Sequence, residues 1–66
     1  MDELDIWRTA NLLIQQHGAQ AIVEAAKREL QMLASDDEDG AVAWRRIMRA
    51  IDQLMSRNPP EGTKLD

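Results

Sequence analysis

The sequence predicts an all-α protein, a compact three-helix bundle with a flexible C-terminal tail, and three observations predict it. Ala, Leu, Gln, Glu and Arg are abundant, Phe and Tyr are absent, and β-branched runs are few. Apolar residues recur at three- and four-residue spacing in three stretches. Between those stretches stand Gly18 and the acidic run Asp36-Asp37-Glu38-Asp39-Gly40. The expected helices cover about residues 3–16, 19–34 and 37–56, a single domain over residues 1–56, with residues 57–66 as the tail.

In the first helix, Ile6, Trp7, Ala10, Leu13, Ile14 and His17 share one face. Asp2 or Asp5 can cap its start, where a negative charge suits the positive end of the helix dipole. Gly18 stands where a left-handed residue ends a helix. In the second helix, Ala19, Val23, Ala26, Leu30 and Leu33 form a narrow seam with Ile22 alongside, expected to face the core. Glu24 and Arg28 are expected to pair at i,i+4.

The third helix has the clearest amphipathic pattern. Trp44, Ile47, Met48, Ile51, Leu54 and Met55 fill one sector, and Arg45, Arg46, Arg49, Asp52 and Gln53 fill the opposite one. Ser35 with Glu38 matches a capping box, and any of the following aspartates could cap instead. Asn58-Pro59-Pro60 stops the pattern. Short connections predict antiparallel packing of consecutive helices.

Size and charge bound the function. A chain of 66 residues holds one domain, and at this length only about 60% of the unfolded surface is buried, so stability is thin. Self-association would relieve that shortage. Leu4, Leu12, Met32, Ala43 and Ala50 are apolar residues left over for it. There is no cysteine, which excludes disulfides and thiolate chemistry and suits a reducing cytoplasm. The acidic N-terminus is unlike a signal peptide, and no apolar run reaches the ~20 residues of a membrane span. Twelve acidic against eight basic side chains leave a net charge of −4, which does not favour a polyanionic partner.

Each candidate for chemistry has a plainer structural reading. Laid on a calcium loop, Ser35, Asp37, Asp39 and Gly40 fit their positions, but the twelfth place, which needs a bidentate carboxylate, is Arg46. The run reads better as a helix start. Arg45, Arg46 and Arg49 beside Trp44 suggest nucleic acid, yet the acidic end of that helix would face phosphates. His17 is the only histidine and has no second ligand at i+4, so a capping or packing role is expected. Glu29 borders the second helix's seam as a snorkelling edge residue or half of an interface ion pair. Trp7 and Trp44 read as core fillers near helix starts. Thr9, Ser35, Ser56 and Thr63 are not set near His17 by helical spacing, so no catalytic residue and no cofactor is expected.

Two segments carry a resemblance: Ile6-Trp7-Arg8-x-Ala10-Asn11-x-Leu13-Ile14-x-x-His17-Gly18 and Gly40-x-x-x-Trp44-x-x-Ile47-x-x-Ala50-Ile51. Through them the chain resembles a family of short, uncharacterised all-helical bacterial proteins, a domain of unknown function. The likeness extends to about Leu54 and excludes the tail. It implies no activity, ligand or catalytic residue. Asn11 lies within it although off the core face, which marks Asn11 as a contact candidate.

The expected function is therefore non-catalytic: a protein–protein interaction module or homodimer, with neither small-molecule ligand nor membrane. The expected contact residues are Leu4, Asn11 and Leu12 on the first helix and Arg45, Arg46 and Arg49 on the third. A nucleic-acid-associated regulator using those arginines is the alternative. A small acidic inhibitor using the Asp-rich turn is a further one.

Overall fold

A computed structural model describes residues 2–57, which are helical in two runs with no strand among them. The first run comprises α1, Glu3–His17, a single 3-10 turn, Gly18–Gln20, and α2, Ala21–Ala34. The second is α3, Glu38–Arg57. Arg57 thus closes α3 rather than opening the tail, and the rest of the expected tail, 58–66, lies outside the described residues.

Each boundary has a local cause. Asp2 is extended, and its carboxylate accepts the Glu3 N–H at 2.9 Å, so Asp2 rather than Asp5 caps α1. Gly18 has φ 58° and ψ −128°, a conformation that a Cβ penalises, and its N–H donates to the Ile14 carbonyl. At the far end of α2, Asp36 also adopts a left-handed conformation, φ 59°. Its N–H donates to the Leu33 carbonyl at 3.1 Å, and the Asp37 N–H donates to the Met32 carbonyl at 2.8 Å. These paired bonds are the usual helix closure around a left-handed residue.

Asp37 then starts α3. Its Oδ1 accepts the Gly40 N–H at 2.9 Å, which selects Asp37 over Ser35 as the cap. A Cβ on Gly40 would lie 2.7 Å from Asp37 Oδ2 and 2.8 Å from Met32 Sδ, so glycine lets the cap and α2 sit close. The acidic run is accordingly a turn and a helix start, with Asp39 and Gly40 already helical.

Met32 approaches Gly40 beside the turn, whereas Glu29 and Arg28, further back along α2, meet Arg45 and Trp44, further along α3, with the Arg28 guanidinium over the Trp44 ring at 5.1 Å. The two helices therefore run antiparallel. α3 also covers α1, whereas α1 and α2 touch least of the three. The expected reversal is found at 35–37. Across Gly18, where a second reversal was expected, α1 and α2 form one helical run interrupted by the 3-10 turn.

The core joins Ile6, Ala10 and Leu13 of α1, Ala21 and Ala25 of α2, and Ile47, Ala50 and Ile51 of α3. Trp7, Ile14, Trp44, Met48, Leu54 and Met55 pack around it. The faces expected for α1 and α3 are the faces that are buried.

The face expected for α2 is not. Ala21 and Ala25 are fully buried, while Ile22, Val23, Leu30 and Leu33 are 36%, 47%, 65% and 44% exposed. At about 100° per residue, the Ala19/Val23/Ala26/Leu30/Leu33 seam lies roughly 140° round the helix from the buried alanines. The physical reason is the distance of approach. α3 offers bulky Ile47 and Ile51, both fully buried, and alanines opposite let the α2 backbone come close enough to exclude water. Leucines on that side would hold the helices apart.

Charged residues follow from this rotation. Glu24 pairs with Lys27 at 3.7 Å, not with Arg28, whose side chain is engaged by Trp44. Met32, expected off the seam, is half-buried above Gly40. Among the described residues no helix is long and apolar enough to cross a membrane.

Candidate interaction surface

The turn of α2 towards its alanines leaves its large aliphatic residues pointing outwards as one strip. Val23, Ala26, Leu30 and Leu33 follow each other at steps of three, four and three, the spacing of a coiled-coil seam, with Ala19 ahead of them in the 3-10 turn. Ile22 widens the strip on one side, and Lys27, tied to Glu24, flanks the other. Four large side chains at these exposures make a patch on the order of 300–400 Å2, within the range of the largest apolar patch on a typical monomer, which is often functional. A monomer gains nothing from holding such a strip in water.

The residues expected from sequence to make contact lie elsewhere. Leu4, Asn11 and Leu12 are all exposed on α1. Arg45, Arg46 and Arg49 are exposed on α3, but they are not equivalent. Arg45 Nε donates to Glu29 Oε2 at 2.9 Å, and the Glu29 side chain is only 16% exposed. Arg45 is thus an α2–α3 tie, and Glu29 is half of an ion pair inside the fold. Arg46 and Arg49 make no ion pair among the described residues. Three open hollows line this side of α3. One, of about 150 Å3, lies between Glu3, Ile6 and Trp7 of α1 and Arg46, Arg49, Ala50 and Gln53 of α3. The others, about 200 and 330 Å3, lie over Val42 and the arginines and beside Asp39.

Two guanidinium groups, on a helix whose first turn carries Glu38 and Asp39, are a thin basis for gripping a polyanion, where affinity grows with each phosphate neutralised. His17 is half-buried at the end of α1. Among the described residues, no three His, Asp or Glu side chains are gathered in a way that could hold a metal ion.

No protein-family model matches the chain, and no curated protein or solved structure is significantly similar to it. The functional argument therefore stands on the chain's own surface.

The strip was visible in the sequence as a pattern but was assigned to the interior. The signal that could have found it is the pair Ala21 and Ala25, four apart, on the opposite side of the same helix from the leucines.

Proposed function

We propose that the chain is a small, non-catalytic three-helix interaction module whose main contact surface is the outer face of α2. One observation supports the reading above all others. The helix turns its alanines inwards and leaves Val23, Leu30 and Leu33 in water. Full burial of such side chains is worth about 1.5–3 kcal/mol each, and the isolated chain forgoes about half of it. A partner that covers the strip recovers that energy.

Leu4, Asn11 and Leu12 on α1, with Arg46 and Arg49 on α3, are secondary surfaces in this reading. The module acts in an aqueous, reducing compartment such as the cytoplasm, in keeping with a chain that has no cysteine and a net charge of −4. The test is co-purification from the native cell at near-native expression, comparing the wild type with Leu30→Glu and Arg46→Glu. Chains retained by the wild type and by Arg46→Glu, but lost from Leu30→Glu, support the α2 face. A set of retained chains that Leu30→Glu leaves unchanged contradicts it.

A further inference from the structure

We propose that the outer face of α2 is covered by the same face of a second copy of this chain, with the two helices antiparallel. The inference rests on the reading of α2 as the contact surface and names its occupant. Of three features, size and area point to self-pairing, and charge sets its direction.

The first is size complementarity. In an antiparallel pair of seam helices, each position of one type faces the other type on its neighbour. The register that brings all four large seam contacts together sets Val23 against the partner's Leu33 and Leu30 against the partner's Ala26. Symmetry repeats both contacts, as an isologous interface requires. The small Ala26, already half-buried, leaves room for the projecting Leu30, which is the most exposed of the four.

Charge is the second. A parallel pair would place two copies of Asp36-Asp37-Glu38-Asp39 side by side, on chains that each carry −4. The antiparallel pair separates them and sets Asp36 and Asp37 beside the first turn of the partner's α2. That turn is the positive end of the helix dipole, its one acid, Glu24, is paired with Lys27, and Gln20, at its start, supplies no side-chain cap.

The third is area. Two strips of this size, with the stems of Gln20, Lys27 and Gln31 at the rim, bury on the order of 1,000 Å2, the lower bound for a specific interface. An interface at that limit belongs with weak, transient associations.

Sedimentation equilibrium of the purified full chain from low to several hundred micromolar tests the pairing. Nitroxide labels on Gln20→Cys and Lys27→Cys, two exposed positions in a cysteine-free chain, report the direction. The expected result is a concentration-dependent dimer, with Leu30→Ala weakening it about 10-fold and Leu30→Glu at least about 100-fold, since each dimer would bury two unpaired carboxylates. The labels replacing Lys27 should lie close together. Those replacing Gln20 should be displaced by about 24 Å along the axis, from sixteen residues at 1.5 Å each.

Circular dichroism matching the wild type shows that the variants fold, as replacement of a 65% exposed side chain should allow. A chain that stays monomeric throughout, a dimer indifferent to Leu30→Glu, or equally short distances for both labels overturns the proposal. Monomeric behaviour with Leu30-dependent co-purification would sink the second copy alone. Co-purification indifferent to Leu30→Glu would sink the interaction reading beneath it.

Discussion

Replacing Leu30 and Ile51 separately by alanine weighs the two sides of the structure against each other. Ile51 is fully buried between the helices, and removing most of its side chain loses transfer energy and leaves a cavity. Such truncations cost about 2–5 kcal/mol. A 66-residue domain at roughly 0.05–0.15 kcal/mol per residue has only about 3–10 kcal/mol in hand. Ile51→Ala therefore brings the protein close to unfolding.

Leu30 is 65% exposed, so only about a third of that burial is at stake, and alanine is slightly the better helix former. Its expected cost is about 0–1 kcal/mol. Urea unfolding followed by circular dichroism at submicromolar concentration measures both, because association adds no stability at that dilution. A Leu30→Ala loss as large as that of Ile51→Ala would refute the placement of α2.

Four further substitutions probe the helix boundaries and the α2–α3 tie. Gly18→Ala should destabilise by about 1–3 kcal/mol in the same assay, although nothing crowds the added methyl, because the backbone there has φ 58°. In the turn, Asp37→Ala should cost about 0.5–2 kcal/mol through the lost bond to Gly40, whereas Asp36→Gly should gain up to about 1 kcal/mol by relieving a left-handed aspartate. Glu29→Gln should cost no more than about 1 kcal/mol, and its cost should shrink in high salt, since Arg45 is half exposed to screening.

The faces of α1 and α3 were legible because each helix has one apolar sector, so spacing alone says which side turns inwards. The breaks were legible too, at Gly18 and at the acidic run. α2 was not, because it carries two apolar sides, one of large residues at regular spacing and one of alanines. Periodicity groups residues onto faces but does not say which face a neighbour requires. That choice depends on how close Ile47 and Ile51 of α3 must come, a property of the pair of helices.

The same ambiguity hid the contact surface. Spacing places Leu30 and Leu33 inside, which leaves Leu12 and the arginines as the exposed candidates. Glu29 and Arg45 lie sixteen residues apart in the chain, so helical spacing offers no reason to join them. Asp36 and Asp37 were recognised as part of a helix start. Their division of labour, one closing α2 and the other opening α3, depends on a left-handed backbone that aspartate adopts without announcing it.

The inward turn of Ala25 and the outward turn of Leu30 are tested most directly by thiol reactivity in a chain that has no cysteine of its own. Leu30→Cys and Ala25→Cys, each in dilute native solution, are timed against the same thiol reagent and against their own rates in denaturant. The thiol at position 30 should react nearly as fast folded as unfolded, and the one at position 25 at least about 100-fold slower, in line with the free energy of opening the fold. Protection at position 30 with free reaction at position 25 would reverse the helix and contradict the account.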